Sequence, residues 1–145
     1  MIEGQRDKLK PCVGVMIWKE GKILLGKRKG SHGTGEYAFP GGHLEYDESF
    51  QDCTKREVLE ETGIKIKNLQ FMSLANFILN ENRQDILVSF IADWESGEAK
   101  ILEPEKSDSW EWYSLDNLPL PLFRPTQITV DLFITGKNFY DKEEK

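Results

Sequence analysis

The sequence predicts a mixed α/β fold in which a central helix covers a sheet. Three β-prone runs precede a helical segment in the middle of the chain, three more follow it, and a second helical segment comes last. This element order is typical of a mixed α/β domain, where a helix buries its apolar face on a sheet. The length of 145 residues and the hydrophobic content of 39% predict one domain, with a core spanning about 11–136 and frayed ends.

β-prone runs and turn residues locate the strands. A run rich in Val, Ile and Met, the turn Lys19–Lys22 and a second apolar run predict an N-terminal hairpin. A loop with three glycines follows, and a third, short strand ends at Pro40-Gly41-Gly42. An irregularity near Asn68 interrupts the first of the later strands, and two tryptophans on one face mark the last. The predicted strands cover residues 11–18, 23–25, 37–39, 64–79, 86–94 and 110–113.

Two segments have the apolar spacing of helices, and we predict them over residues 49–62 and 126–135. The first contains no Gly or Pro. A glycine follows each of them, and glycine is the preferred residue just beyond a helix C-terminus. The predicted apolar faces carry Phe50, Cys53 and Val58 in the first helix, and Ile128 and Leu132 in the second.

Composition and charge exclude several classes of protein. The net charge of -6 does not suit a general binder of nucleic acid polymers, which needs a basic face. No run approaches 18 apolar residues, so we expect no transmembrane helix and no membrane partner. The polar N-terminus lacks a signal peptide, so we expect a cytoplasmic protein. Neither Cys12 nor Cys53 has zinc-ligand spacing, and both are expected to be small, partly buried residues.

Three glutamates are grouped on one side of the first predicted helix. Glu57, Glu60 and Glu61 stand at positions i, i+3 and i+4, which are neighbours on a helix surface. Like charges at this spacing repel each other unless a cation or a basic side chain compensates them. Carboxylate oxygens are ligands that Mg²⁺ prefers, with waters and substrate phosphates completing its coordination. The alternative is a solvated acidic face partnered by Lys55 and Arg56.

The segment around these glutamates carries a family motif. Gly42, five residues, Glu48, seven residues and then REVLEETGI fill every fixed position of the Nudix box. The chain therefore resembles the Nudix hydrolases, and most of all the MutT-like nucleoside triphosphate diphosphatases that clean nucleotide pools. The resemblance implies an α/β/α sandwich with a mixed β-sheet, a loop-helix-loop for the box, and a homodimer. It runs from about residue 11 to 125 through the further segments LGKRKG, FPGGHLE, EPEK and WEW.

The resemblance also implies roles for the residues in and near the box. Mg²⁺, with Mn²⁺ as a substitute, would be held by Glu57, Glu60, Glu61 and the carbonyl group of Gly41. One of the glutamates would take the proton of the attacking water, and the pattern leaves open which one. Arg56 would orient the glutamates and Glu48 would brace the box. Glu105 is either an additional carboxylate at the site or an exposed loop residue that pairs with Lys106.

The substrate is expected to meet residues outside the glutamate cluster. Residues 21–35 contain four basic residues and no acidic residue, which favours an anionic substrate. Strand alternation separates Arg28 from Lys27 and Lys29, and at least one of the three is expected at the phosphates. Arg124 stands where related plant and animal enzymes have an aromatic residue, which favours a different or more polar base. The remaining candidates for the base pocket, by position, are Phe39, Gly42, His43, Leu44 and Phe123.

The reaction implied is Mg²⁺-dependent attack of water on a phosphorus atom of a nucleoside di- or triphosphate. A triphosphate would give the monophosphate and pyrophosphate. Oxidised or noncanonical nucleotides such as 8-oxo-dGTP are among the expected substrates. Alternative substrates are a sugar nucleotide, dihydroneopterin triphosphate or an isoprenoid diphosphate. A non-catalytic nucleotide-binding Nudix module is a weaker alternative, because the glutamates of the box are intact. An acidic Ca²⁺-binding module does not fit, because the sequence lacks the D-x-[DN]-x-[DN]-G loop.

Overall fold

Strands from the whole length of the chain form one mixed sheet with a helix on each face. The computed structural model describes residues 8–30 and 32–142. The strands of the described chain are β1 Leu9–Lys19, β2 Lys22–Arg28, β3 Tyr37–Ala38, β4 Gly41–His43, β5 Lys65–Asn80, β6 Arg83–Ser96, β7 Ser107–Tyr113 and β8 Phe139–Tyr140. Its helices are α1 Phe50–Thr62 and α2 Arg124–Thr135.

The sheet has the strand order β3-β2-β1-β6-β5-β8, with β4 paired to β1 and β7 paired to β2. Strands β1 and β6 run parallel and pair from Leu9 with Gln84 to Trp18 with Asp93. Strands β5 and β6 form a long antiparallel pair whose register shifts near Asn68, where an irregularity was predicted. Parallel pairs lie at the centre and at the β8 edge, so the predicted mixed sheet is confirmed.

Strands β1 and β2 diverge soon after the turn that joins them. They pair at Trp18–Ile23 and Lys19–Lys22. Farther along, β2 pairs with β3, while the corresponding edge of β1 is occupied by β4. The short strands β3 and β4 thus lie in the gap between β1 and β2. At this gap the sheet opens into a cleft.

Each face of the sheet has its own core beneath one helix. The predicted α/β/α sandwich is therefore confirmed. Cys53 and Val58 of α1 are buried as predicted, whereas Phe50 is 43% exposed because it starts the helix beyond the sheet. The core on the α1 face contains Val13, Val15, Ile17, Leu24, Cys53, Val58, Ile64, Ile66, Phe90 and Ala92. The core on the α2 face contains Cys12, Ala75, Phe77, Leu87, Ile128 and Leu132.

Local sequence signals set the ends of both helices. The side chain of Ser49 accepts a hydrogen bond from the Asp52 N–H at 3.0 Å and caps α1. Gly63, with φ 77°, ends α1, and Gly136, with φ 68°, ends α2. Both glycines adopt the left-handed conformation in which residues with a Cβ are strained. Pro125 lies in the first turn of α2, where its missing N–H has no partner to lose.

The structure differs from the predicted elements at a few places. Gly41–His43 does not simply end a strand but forms β4, because β1 offers it an open edge. Strand β8 was not predicted, and the pairing of Leu9 and Lys10 with β6 extends regular structure beyond the predicted core. The rest of the expected frayed ends, residues 1–7 and 143–145, lies outside the described residues. Within the described chain, neither helix has the length and apolar character needed to cross a membrane.

Candidate active site

A cleft of about 520 Å³ lies where β1 and β2 diverge. Its volume falls in the range of about 300–1,000 Å³ that is typical of small-molecule sites. Strands β1, β2 and β6, the β3–β4 segment and both helices contribute to its walls. The cleft therefore connects the glutamates of α1 with side chains on the opposite, α2 face of the sheet.

Glu61 lines the cleft from the last turn of α1. Its Oε1 accepts a hydrogen bond from the backbone N–H of Gly41 at 3.1 Å. Burial raises its pKa well above the usual value, and the negative charges of Glu57 and Glu103 add to the effect. A Cβ atom at Gly41 would lie 2.2 Å from the carbonyl oxygen of Val13. Only glycine lets the backbone approach β1 closely enough to meet Glu61 in this way.

Glu57 lies against the other glycine of the pair. A Cβ atom at Gly42 would lie 2.3 Å from the carboxyl carbon of Glu57, so this carboxylate occupies the space that a side chain would fill. Burial raises the pKa of Glu57, while a hydrogen bond of 2.8 Å from Arg56 Nη1 opposes the shift. Glu57 and Glu61 therefore both face the backbone turn Pro40-Gly41-Gly42 within the cleft.

We predict that Gly42→Ala lowers activity strongly while changing stability little. The added methyl group must displace the Glu57 carboxylate, and a shift of this size at a reacting group lowers the rate roughly 100-fold. The flexible glutamate side chain can move without disturbing the core. Kinetics and thermal unfolding of the variant test this prediction. Ser96→Ala, at an exposed position near the end of β6 and outside the cleft, is the control. Equal activity in the two variants would contradict the prediction.

Arg56 binds several carboxylates of the box at once. Its Nε and Nη2 donate to the two oxygens of Glu48 at 2.7 and 3.1 Å. Its Nη1 donates to Glu57 at 2.8 Å and to Glu60 at 3.3 Å, and its Nη2 donates to the His43 carbonyl at 3.2 Å. The hydrogen bonds with Glu48 make the largest contribution to raising the pKa of Arg56. The guanidinium group thus holds Glu57 in place and does not line the cleft itself.

The hydrogen bonds between Arg56 and Glu48 make the stability of the protein depend on pH in the acidic range. The hydrogen bonds from Arg56 lower the pKa of Glu48 to about 2. Since the unfolded carboxyl titrates near 4.3, the folded state binds fewer protons, and its stabilisation is lost as pH falls from about 4.3 to 2. We predict that Glu48→Gln lowers stability at pH 7 and flattens the stability profile across this window. Urea unfolding between pH 2 and pH 7 measures both effects, and an unchanged slope would contradict them.

Glu60 and Leu44 were predicted as site residues but, like Arg56, do not line the cleft. Glu60 is half-exposed on α1 and forms an ion pair with Arg56. Leu44 packs against the core of the α1 face, because its side chain points from the end of β4 toward the sheet interior. Among residues 8–30 and 32–142, no group of three or more His, Cys, Asp and Glu side chains is arranged to hold a metal ion. Glu57, Glu60 and Glu61 therefore do not converge as one set.

A divalent cation nevertheless fits the chemistry of the Glu57 and Glu61 pair. Both side chains present carboxylate oxygens to the cleft, and burial opposes the ionised form of each. A hard cation such as Mg²⁺ is bound through oxygen ligands of this kind and would compensate their charge. The carbonyl group of Gly41 belongs to the same segment. These residues are the ones that would hold the cation.

The loop before β7 contains a second glutamate, Glu103, besides the predicted Glu105. Glu105 and Lys106 line the cleft, but Lys106 pairs with Glu103, at 3.5 Å, rather than with Glu105. Glu103 Oε1 is buried and has no hydrogen-bond partner within the described part of the chain. Its charge is one of the causes of the raised pKa of Glu61. Sequence reasoning missed Glu103, since the spacing in EPEK does not distinguish the two glutamates.

Arg28 reaches the cleft from the end of β2. Its guanidinium carbon lies 4.0 Å from the centroid of the Phe123 ring, and its Nε donates to the His32 carbonyl at 2.9 Å. Burial lowers the pKa of Arg28. Lys29 also lines the cleft, whereas Lys27 does not. Arg28 therefore stacks on one face of the Phe123 ring. Because the guanidinium group occupies this face, a base cannot stack there.

The remaining predicted residues lie along the β3–β4 segment. Phe39, Gly42 and His43 line the cleft. The N–H of Phe39 donates to Thr126 Oγ1 at 3.1 Å and so joins this segment to α2. Burial lowers the pKa of His43, which favours its neutral form. Arg124 is exposed outside the cleft and donates to the Tyr140 hydroxyl group at 3.3 Å.

Sequence reasoning also missed an ion pair in the wall formed by β6. Arg83 and Asp85 both line the cleft, and Asp85 is only 2% exposed. Arg83 binds both Asp85 oxygens, through Nε at 2.6 Å and Nη2 at 2.9 Å. The one available signal was the i, i+2 spacing of the two charges at the start of a β-prone run. That spacing places them on the same face of a strand.

The fold and the site together define an α/β/α domain whose cleft holds the carboxylates of one helix beside a double-glycine turn. The NUDIX domain model matches residues 8–131. The chain belongs to the Nudix hydrolase family, as its resemblance to the Nudix box implied.

Several curated relatives of the chain are NAD-capped RNA hydrolases named NudC. The chain is 37% identical over 115 residues to an NAD-capped RNA hydrolase NudC of Photobacterium profundum, a match that covers 79% of this chain and 41% of the relative. The NudC of Vibrio parahaemolyticus is 35% identical over 109 residues, covering 75% of this chain and 40% of the relative. The chain thus spans about two fifths of the length of these curated relatives.

Solved structures resemble the chain over nearly its whole length. A MutT Nudix hydrolase from Burkholderia pseudomallei superimposes with a TM-score of 0.80 and 29% identity, covering 85% of this chain and 96% of that one. A MutT protein from Bacillus halodurans gives a TM-score of 0.72 and 25% identity, covering 90% and 86%. These similarities support the assignment of the fold.

Proposed function

We propose that the protein hydrolyses a nucleoside triphosphate to the monophosphate and pyrophosphate, with Mg²⁺ or Mn²⁺ as its cofactor. Noncanonical nucleotides are included among its substrates. The observation that carries the proposal is the position of Glu57 and Glu61 beside the Gly41-Gly42 backbone, in a cleft that also contains Arg28. This arrangement combines oxygen ligands for a cation with a basic side chain for phosphate oxygens.

Different residues of the cleft would bind the cation, bind the phosphate groups and accept the proton of water. When bound, the cation neutralises phosphate charge and acidifies water. Glu57 and Glu61 hold it, together with the carbonyl group of Gly41. Arg28 donates hydrogen bonds to phosphate oxygens, and guanidinium groups bind such oxygens strongly. Glu57 is better placed than Glu60 to accept the proton of water, since Glu57 lines the cleft and Glu60 does not.

A second candidate is hydrolysis of the pyrophosphate bond of a dinucleotide such as NAD. The curated relatives with 33–37% identity over this part of the chain are named NAD-capped RNA hydrolases. The bond broken would be the same type of phosphoric anhydride. The two candidates differ only in the group beyond the second phosphate, so the same Glu57, Glu61 and Arg28 side chains would serve both.

A substrate panel with Mg²⁺ tests the proposal. The panel contains the nucleoside triphosphates, 8-oxo-dGTP, NAD, a sugar nucleotide, dihydroneopterin triphosphate and an isoprenoid diphosphate. Phosphate is measured with and without added pyrophosphatase. We expect phosphate from a nucleoside triphosphate only when pyrophosphatase is present. Equal release without it would overturn the assigned products, and turnover of NAD alone would favour the second candidate. Inactivity on every compound would favour a binding module.

A further inference from the structure

The ion pair between Arg83 and Asp85 lies in the cleft but takes no part in the chemistry proposed above. Asp85 is 2% exposed, and the Arg83 side chain is 23% exposed. Both hydrogen bonds of the pair are short, at 2.6 and 2.9 Å. A buried carboxylate with a bidentate guanidinium partner is a costly arrangement that gives little net stability. Its position on the wall of a cleft therefore calls for a functional explanation.

Asp85 fixes the orientation of the guanidinium group and leaves part of it available. An arginine has five N–H donors in one plane, and Asp85 uses one on Nε and one on Nη2. The donors on Nη1 have no hydrogen-bond partner among residues 8–30 and 32–142, and one donor remains on Nη2. One N–H of Nη1 and the remaining N–H of Nη2 point in the same direction and form an end-on pair that matches two adjacent acceptor atoms.

We propose that Arg83, held by Asp85, is a specificity-determining residue that binds the O6 and N7 acceptors of an oxopurine base, guanine or hypoxanthine. The inference rests on the proposed function, because it assumes that the cleft binds a nucleotide. A bidentate contact of arginine with O6 and N7 is the most frequent specific contact of this side chain with a base. Adenine presents a donor in place of O6 and would be disfavoured.

The surroundings of the pair suit a base better than a phosphate group. The pair carries no net charge, and the Asp85 carboxylate would repel a nearby anion. The buried Cys12 and Leu87, and also Pro125, line the same cleft and offer apolar surface to a ring. Phe123, the aromatic ring predicted for the base pocket, has one face covered by Arg28. Recognition of the base therefore depends on the wall formed by β6.

A comparison of GTP with 7-deaza-GTP tests the inference. In the analogue a C–H group replaces N7 and removes one of the two acceptors. Binding is measured by calorimetry in EDTA, which separates recognition from hydrolysis. We expect the wild-type protein to bind 7-deaza-GTP roughly 10-fold more weakly than GTP. In the paired variant Arg83→Gln/Asp85→Asn, which leaves no unpaired buried charge, the two dissociation constants should become equal.

Further variants separate recognition from folding. Arg83→Lys keeps the charge without the planar fork and should also lose the preference for GTP. Lys100→Gln changes an exposed cation outside the cleft and should keep the preference. Circular dichroism confirms that each variant is folded. A wild-type preference that persists in the folded paired variant would overturn the inference, and so would equal binding of both nucleotides by the wild-type protein. If GTP binds with the expected preference but no nucleotide is hydrolysed, the inference stands and the proposed function fails.

Discussion

Replacing Glu61 with glutamine should abolish hydrolysis and at the same time stabilise the metal-free protein. The neutral amide is a poor ligand for a cation, and we expect activity to fall on the order of 10²–10³-fold. The buried carboxylate has a raised pKa, so the folded state binds more protons than the unfolded state. Stability therefore falls as pH rises from about 4.3 through the raised pKa, and glutamine removes this loss.

Kinetics with Mg²⁺ and thermal unfolding in EDTA between pH 4 and pH 8 test both halves of this prediction. Glu98→Gln, which changes an exposed loop glutamate, is the matched control and should leave activity and stability unchanged. Full activity of Glu61→Gln would overturn the assignment of this glutamate. A pH profile identical to that of the wild-type protein would show that its burial does not affect folding.

Loss of the Arg56 side chain should produce the largest decrease in stability. Arg56→Ala leaves the carboxylates of Glu48 and Glu57 without their principal partner, and both side chains are mostly buried. Removing one partner of an ion pair leaves an uncompensated charge behind, so the urea midpoint of the variant should fall well below that of the wild-type protein. Activity should fall as well, because Glu57 loses the hydrogen bond that positions it. Urea unfolding at pH 7 and the kinetics of the folded fraction measure the two effects.

Conservative and neighbouring variants make this prediction specific. Arg56→Lys keeps the positive charge but cannot donate to Glu48, Glu57 and the His43 carbonyl together, so its stability should be intermediate. Lys55→Ala removes an adjacent, exposed cation and should have little effect. If Arg56→Ala were no less stable than Lys55→Ala, the network around Arg56 would have no structural importance.

The predictable parts of the fold are those that local physical chemistry determines. Ser49 and Gly63 delimit α1 because one side chain caps a helix start and one backbone adopts a left-handed conformation. Strand β4 could not be predicted in the same way. Glycines have a low β propensity, and Gly41–His43 forms a strand only because β1 presents an unpaired edge there. Pairing partners distant in sequence decide such elements.

The same distinction applies to the candidate site. Glu57 and Glu61 could be selected because the motif fixes their spacing on one helix. Their partnership with Gly41 and Gly42 depends on how closely β4 approaches α1, which spacing alone does not reveal. Arg83 and Asp85 lie 19 and 21 residues beyond the last residue of the box, Ile64, on another strand. Both faces of the sheet are covered, so alternation along β6 could not show which face opens to the cleft.

The separation of the two cores has a consequence for how this protein can change. The carboxylates are carried by α1, whose core lies on one face of the sheet, whereas Leu87 of β6 belongs to the core on the other face. Asp85, two residues before Leu87 on the same strand, points to that second face as well. Residues packed in different cores have nearly additive effects when they share no partners. Substitutions around β6 and α2 can therefore alter the accepted nucleotide without disturbing the hydrolytic residues. Evolution and protein engineering can treat the selection of substrate and the breaking of its bond as independently adjustable traits.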